Sequence, residues 1–142
     1  MWEPIGAPEK VTYGNNSLAY TGSAFKGVFN GGGHTITNFN VTTAVGKDAA
    51  FGFFGMLDNA VVKDLTIEGR MTASATGAGA VGVLAGAALS STVENVKVNA
   101  DIDFKGTIAP DRFTVGGIAG FASGDFFMGA SKCLNIRYSI VN

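Results

Sequence analysis

The sequence predicts an all-β protein: a right-handed parallel β-helix (a solenoid) of about four coils behind an N-terminal cap. Three observations carry that expectation. Apolar residues recur in columns at intervals of 26 to 38 residues. Within each recurrence they alternate with polar residues at period 2, the mark of a strand with one buried face. Glycine is about twice as frequent as the usual ~7%, with 21 in 142 residues, while no stretch sustains the 3.6-residue period of a helix.

The chain reads as a single domain, 1–142, with Met1 to Gly22 as the cap and coils starting near 25, 51, 81 and 115. Superimposing Phe25 to Val41 on Phe51 to Ile67 at an offset of 26 sets Phe25 on Phe51, Val28 on Phe54, Ile36 on Val62, Phe39 on Leu65 and Val41 on Ile67. A third copy follows with Val81, Leu84, Val93, Val96 and Val98, offset by 30 at its start and 31 at its end. The fourth has Val115, Ile118, Leu134 and Ile136, with Ser131 breaking one column and an insertion around Ala122 to Ala130. Val45, Met71, Ile102 and Ile140 form a sixth column. All six are expected inside. A propeller blade needs about 40 residues and at least four blades, so stacked coils with parallel strands fit these lengths better.

Corners are expected where glycines cluster, at Gly31-Gly32-Gly33, Gly77-Ala78-Gly79 and Gly116-Gly117, because turns call for positive φ. Asn38, Asp64, Asn95 and Cys133 fall in one column, expected as a polar corner ladder whose side chains satisfy turn backbone. Phe126-Phe127-Met128 lies in the insertion of the fourth repeat. It is a candidate contact loop, since insertions in repeat folds form loops on one face.

Composition excludes whole classes of function. Ten basic residues against eleven acidic ones, a net charge of -1, supply no positive field for nucleic acid. Hydrophobic content of 46% with so little net charge is wrong for a disordered chain. Ala75 to Leu89 is the longest apolar stretch, too short and too rich in Gly and Ala to span a bilayer, so no membrane insertion is expected. A lone cysteine, Cys133, forms no internal disulfide, and a signal peptide is absent at Met1-Trp2-Glu3-Pro4.

Trp2-Glu3-Pro4-Ile5-Gly6 followed by Phe25-Lys26-Gly27-Val28-Phe29-Asn30-Gly31-Gly32-Gly33-His34-Thr35-Ile36 resembles the opening of GLUG-motif repeat proteins. Their W-x-P-I-G start precedes F-x-G-x-F-D-G-N-G-H-x-I. Phe51-Gly52-Phe53-Phe54-Gly55, Val81-Gly82-Val83-Leu84-Ala85-Gly86 and Val115-Gly116-Gly117-Ile118-Ala119-Gly120 resemble the G-L-x-G core. Asn30 stands where that family usually has Asp, and Gly32 where it often has Asn, which argues against a cation in this loop. The resemblance implies parallel β-helical modules of large secreted or surface-attached bacterial proteins, often adhesin-like. It implies an extracellular or cell-surface location for this chain.

Candidates for chemistry are few. His34 is the single histidine, so two-histidine zinc sites and Ser-His-Asp triads built elsewhere are excluded. It is a candidate general base in a polysaccharide-cleaving site, against a structural place as a turn residue bonded to the glycine-rich corner. Glycoside hydrolysis uses two carboxyl groups about 5 to 9.5 Å apart. Asp101 and Asp103 lie two apart on one strand face. They flank the inward Ile102, so they are expected in solvent, as weak candidates for a metal (calcium) site. Trp2 is expected to cover the first coil. A flat ice-binding array starts with Thr35 and Thr37, but Val61 and Lys63 end it in the next coil.

The expected function is a non-catalytic repeat module of a larger secreted or cell-surface bacterial protein, serving adhesion, spacing or glycan binding, with no catalytic residue and no cofactor. The alternative is a degenerate or partial polysaccharide lyase or glycoside hydrolase of the β-helix class. Candidate partners are a glycan or a host or cell-surface ligand. The chain is expected to be a fragment whose uncapped fourth coil self-associates through Ile136 and Ile140.

Overall fold

The computed structural model describes residues 3–13, 17–45, 49–75, 79–106, 113–124, 126–129 and 131–141, with backbone alone for 44–45, 75, 104–106, 113–115 and 132–141. An antiparallel hairpin comes first, β1 (Pro8–Tyr13) and β2 (Leu18–Gly22). A long strand β3 (Val28–Val45) follows. Then one sequence of strands recurs: short β4 (Ala49–Phe51), β5 (Phe54–Asp58) and long β6 (Val61–Ala75), next β7 (Gly79–Gly82), β8 (Ala85–Leu89) and β9 (Thr92–Gly106). The last round is β10 (Phe113–Gly116), β11 (Ala119–Ser123), β12 (Phe127–Gly129) and β13 (Lys132–Val141). The described chain is all-β, as the alternation predicts.

Corresponding strands pair in parallel and make three sheets, ordered β10-β7-β4, β11-β8-β5 and β12-β9-β6-β3, with β13 also on β9. One hydrophobic core draws on all three: Val81 from the first, Leu57 and Ala88 from the second, Val62, Ile67, Val96 and Val98 from the third. Each of these Val, Leu and Ile side chains contributes about 1.5–3 kcal/mol when fully buried.

The middle two copies align as the sequence predicts. Phe51 pairs with Val81, Val62 with Val93, Leu65 with Val96, Ile67 with Val98 and Met71 with Ile102. The extra residue of the third copy falls just before Ala85, which rather than Leu84 is the partner of Phe54.

The first copy departs from the 26-residue superposition. Phe29 pairs with Val62, Ile36 with Ile67 and Val41 with Met71, while Phe25 bridges to Leu57. Val28, expected inside, pairs with Val61 and is 65% exposed. Phe29 takes the inward place, its ring 5.5 Å from Phe54 and 6.0 Å from Phe53. The cause is extra chain in β3: register shifts lie between Asn30 and His34 and between Ile36 and Phe39. Gly31–Gly33 stand opposite the single residue Asp64, a bulge that supplies the first copy's counterpart of that corner.

The fourth copy also departs. Phe127 and Met128 do not lie in an insertion loop; they are in β12, paired with Thr92 and Val93. Cys133 pairs with Val98, Leu134 with Asn99 and Ile140 with Phe104, so the column places expected for Leu134 and Ile140 are not theirs. The side chains of Val115, Leu134, Ile136 and Ile140, and with the last two the expected self-association, lie outside the described residues.

Corners are built from residues at positive φ. Asp64 (φ 55°) and Asn95 (φ 51°) occupy equivalent places in β6 and β9. Each shifts the in-out alternation by one, so buried Val62 is followed by buried Leu65, and Val93 by Val96. Asn38 is also left-handed (φ 58°), but it belongs to the second bulge of β3 rather than to the Asp64–Asn95 column. A second set of corners, unforeseen from the sequence, runs through Asn59 (φ 50°), Ser90 (φ 48°) and Gly124 (φ 71°).

The hairpin lies against the outward side of the short strands. Met56 and Ala87, one residue from the inward Leu57 and Ala88, pack with Val11, Leu18 and Ala50 in a second apolar cluster. Tyr13 touches the Phe121 ring edge-on at 5.2 Å and donates its hydroxyl to Ala49 O at 2.6 Å. Beside the hairpin, Ile5 and Gly6 hydrogen-bond with Phe53, Gly55 and Met56, and Phe25 with Met56 and Asp58. The chain thus leaves the edge of β5 at Gly6 and rejoins it at Phe25. A Cβ on Gly6 would lie 2.4 Å from Phe25 N.

Candidate functional site

The residues singled out in the sequence fall in different places, and most are held by structural contacts. Trp2 lies outside the described residues, and Pro4 is half-buried. At the glycine-rich bulge, a Cβ on Gly31 would meet Asp64 O at 2.4 Å, so this glycine is demanded by close backbone approach. Gly33 has open space but φ +79°, so there the backbone angle makes the demand. Asn30 accepts from Gly32 N–H at 2.9 Å, closing the turn.

His34 is exposed, and its imidazole has no hydrogen-bond partner among the described residues. The expected bond to the corner backbone is therefore replaced by a ring standing beside Gly32, whose Cβ would lie 3.3 Å from Cδ2.

Asn95 Nδ2 donates to Asp64 Oδ1 at 3.0 Å. This bond ties one corner to the next, but it runs between side chains, whereas the polar-ladder expectation has these residues satisfy turn backbone. Cys133 is paired elsewhere. Two serines perform a related task. Ser91, 1% exposed, accepts from Ala60 N–H at 3.1 Å and donates to Leu89 O at 3.0 Å. Ser131 accepts from Val96 N–H at 3.0 Å and has Gly129 O at 3.2 Å. In both cases the caught N–H follows a left-handed residue, Asn59 or Asn95. The sequence signal, a serine placed one repeat beyond an Asn, is too short to read alone.

Asp101 and Asp103 flank buried Ile102 and are partly exposed. Asp103 Oδ2 lies 3.7 Å from Arg70 Nε, a surface pair worth about 0–1 kcal/mol. Among the described residues no group of three or more His, Cys, Asp or Glu is arranged to hold a metal ion. No helix of the described chain is long and apolar enough to cross a membrane.

A polar cluster at the end of β5 was not anticipated. Asp58 Oδ2 accepts from the Tyr20 hydroxyl at 2.5 Å and lies 3.9 Å from Lys26 Nζ, while Oδ1 accepts from Asn59 Nδ2 at 2.8 Å. The bond to Asp58, then burial, then the carboxylate charge push the Tyr20 phenol up to about 12. This cluster pins the hairpin to the end of β5. Nothing in the sequence links positions so far apart.

The outward face of the β12-β9-β6-β3 sheet is the surface free for contact. Corrected register sets Thr35 beside Thr66 and Thr42 beside Thr72, but Lys97 and Asp103 follow in β9. The threonine array therefore still ends, one strand later than the sequence suggests. At the start of these strands Val28, Val61, Thr92 and Phe127 form one outward row. Asn30, Lys63, Glu94 and Gly129 form the row beside it. Phe127 is 61% exposed because it points away from the core, whereas Met128, 48% exposed, occupies the inward place of Val93 on the edge strand. Phe126 is partly buried against the core. The Phe127 ring leans over Gly129, where a Cβ would lie 2.8 Å from Cε1.

Comparisons of the chain with protein-family models, with curated proteins and with solved structures returned no match.

Proposed function

We propose that the chain is a non-catalytic repeat module of the GLUG-motif kind, wound as a right-handed parallel β-helix, that serves adhesion through glycan binding in a larger secreted or cell-surface bacterial protein. The observation that carries the winding is the order of pairing. Three successive strands each pair in parallel with their counterparts one repeat later, around one shared core. A connection between parallel neighbours in one sheet is right-handed in about 98% of cases. The adhesive role is supported by where polar groups go. Asp64, Asp58 and Ser91 are spent on joining repeats or holding the hairpin, while the long strands present a broad outward face.

A glycan array probed with the full chain, with and without calcium, tests this role. Retention on one glycan class with no release of shortened or unsaturated products is the expected result. Cleavage of a polysaccharide by the chain would replace the proposal with a catalytic one.

A further inference from the structure

The outward row that ends at Phe127 has the layout of a sugar-binding strip, and we propose that it is an oligosaccharide subsite. A pyranose ring of an uncharged glycan stacks by its C–H face on Phe127, and its hydroxyls bond to Glu94 and Lys63 on the adjoining row. The assignment rests on the glycan-binding role proposed above and gives it a location.

Three features carry it. Phe127 is exposed by direction, since its register partner Thr92 also faces outward while the next pair, Met128 and Val93, faces the core. The ring lies over Gly129, which has no side chain to push it upright, so an aromatic surface is left open to a ligand. Val28, Val61 and Thr92 continue the strip across the sheet for about 14 Å, three strand spacings.

Charge selects the ligand class. The adjoining row offers Asn30, Lys63 and Glu94, one positive and one negative group with an amide. Donors and acceptors are present without a net field, which suits a neutral, hydroxyl-rich chain and disfavours nucleic acid or an acidic polymer. An apolar strip rimmed by polar groups is the usual form of a contact surface.

Affinity electrophoresis of the full chain through gels containing laminarin, xylan, mannan or pullulan tests the strip, with circular dichroism to check each variant's fold. At least one polysaccharide should retard the parent chain. Phe127→Ala should weaken that binding about tenfold or more, and Phe127→Tyr should hold it within about threefold. Glu94→Gln should weaken it less than Phe127→Ala. Retardation unchanged in folded Phe127→Ala would overturn the strip while leaving glycan binding intact. Retardation by none of the four would overturn both. Sedimentation equilibrium showing a dimer lost in Phe127→Ala, with no glycan effect, would assign the strip to a second copy and overturn the proposal.

Discussion

Asn95 gives its side-chain amide to Asp64 one strand away, and both residues hold the backbone in the left-handed region, at φ 51° and 55°. The pair therefore does two jobs at one corner: it turns the strand and it fixes the repeat spacing. These separate under substitution. Asn95→Gly keeps the turn and loses one exposed bond, so stability should stay within about 0.5 kcal/mol. Asn95→Val opposes the backbone angle and should cost about 1–2 kcal/mol or more. Urea midpoints at constant m measure both, and equal values for the two variants would refute the strain.

Ser91 is a stronger test of how repeats are joined. It is buried, Ala60 N–H has its hydroxyl as acceptor, and the same hydroxyl donates to Leu89 O, which also accepts from Asn59 N–H. Ser91→Ala leaves the Ala60 N–H without an acceptor, while Leu89 O keeps its bond from Asn59 N–H, and should cost about 1–3 kcal/mol. A loss under about 0.5 kcal/mol in urea unfolding would mean another partner replaces the hydroxyl.

Tyr20 makes the hairpin sensitive to alkali. Its phenol is raised from 10.0 to about 12 in the folded chain. The neutral form is thus favoured by folding, and the stabilisation is complete below pH 10 and disappears as pH rises toward 12. Thermal unfolding of the parent should decline through that window more steeply than that of Tyr20→Phe, which has no phenol to ionise. Parallel declines would refute the Tyr20–Asp58 bond as its cause.

His34 should be close to silent. It is exposed and its imidazole has no described partner, so His34→Ala should fall within about 0.5 kcal/mol of the parent. A larger loss by calorimetry would restore the imidazole to a structural bond at the corner.

The strands, and the pairing of 51–75 with 81–106, were legible because the two copies differ by a single inserted residue. The first copy was not. Its true offset falls from 33 at Phe29–Val62 to 30 at Val41–Met71. A superposition at 26 slips the later part by four residues, and an even slip keeps every apolar residue on the same face. Periodicity alone does not detect that error. Phe126, Phe127 and Met128 misled for another reason: three apolar residues in a row hide an alternation in which Met128 faces the core and Phe127 faces solvent. The Asp58–Tyr20 cluster joins residues 38 apart, with no motif to mark it.

The meeting of Gly6 and Phe25 gives the chain a natural graft point. To the sheets, Ile5–Gly6 and Phe25 are two halves of one line of backbone, and everything from Pro8 to Gly22 is a parenthesis opened and closed at one place. Lengthening such an excursion adds only about 0.6 kcal/mol of closure entropy per doubling. The excursion can therefore carry added sequence between Gly6 and Phe25, provided Val11 and Leu18 still pack with Met56 and Ala87. The stacked strands behind it need not register the change.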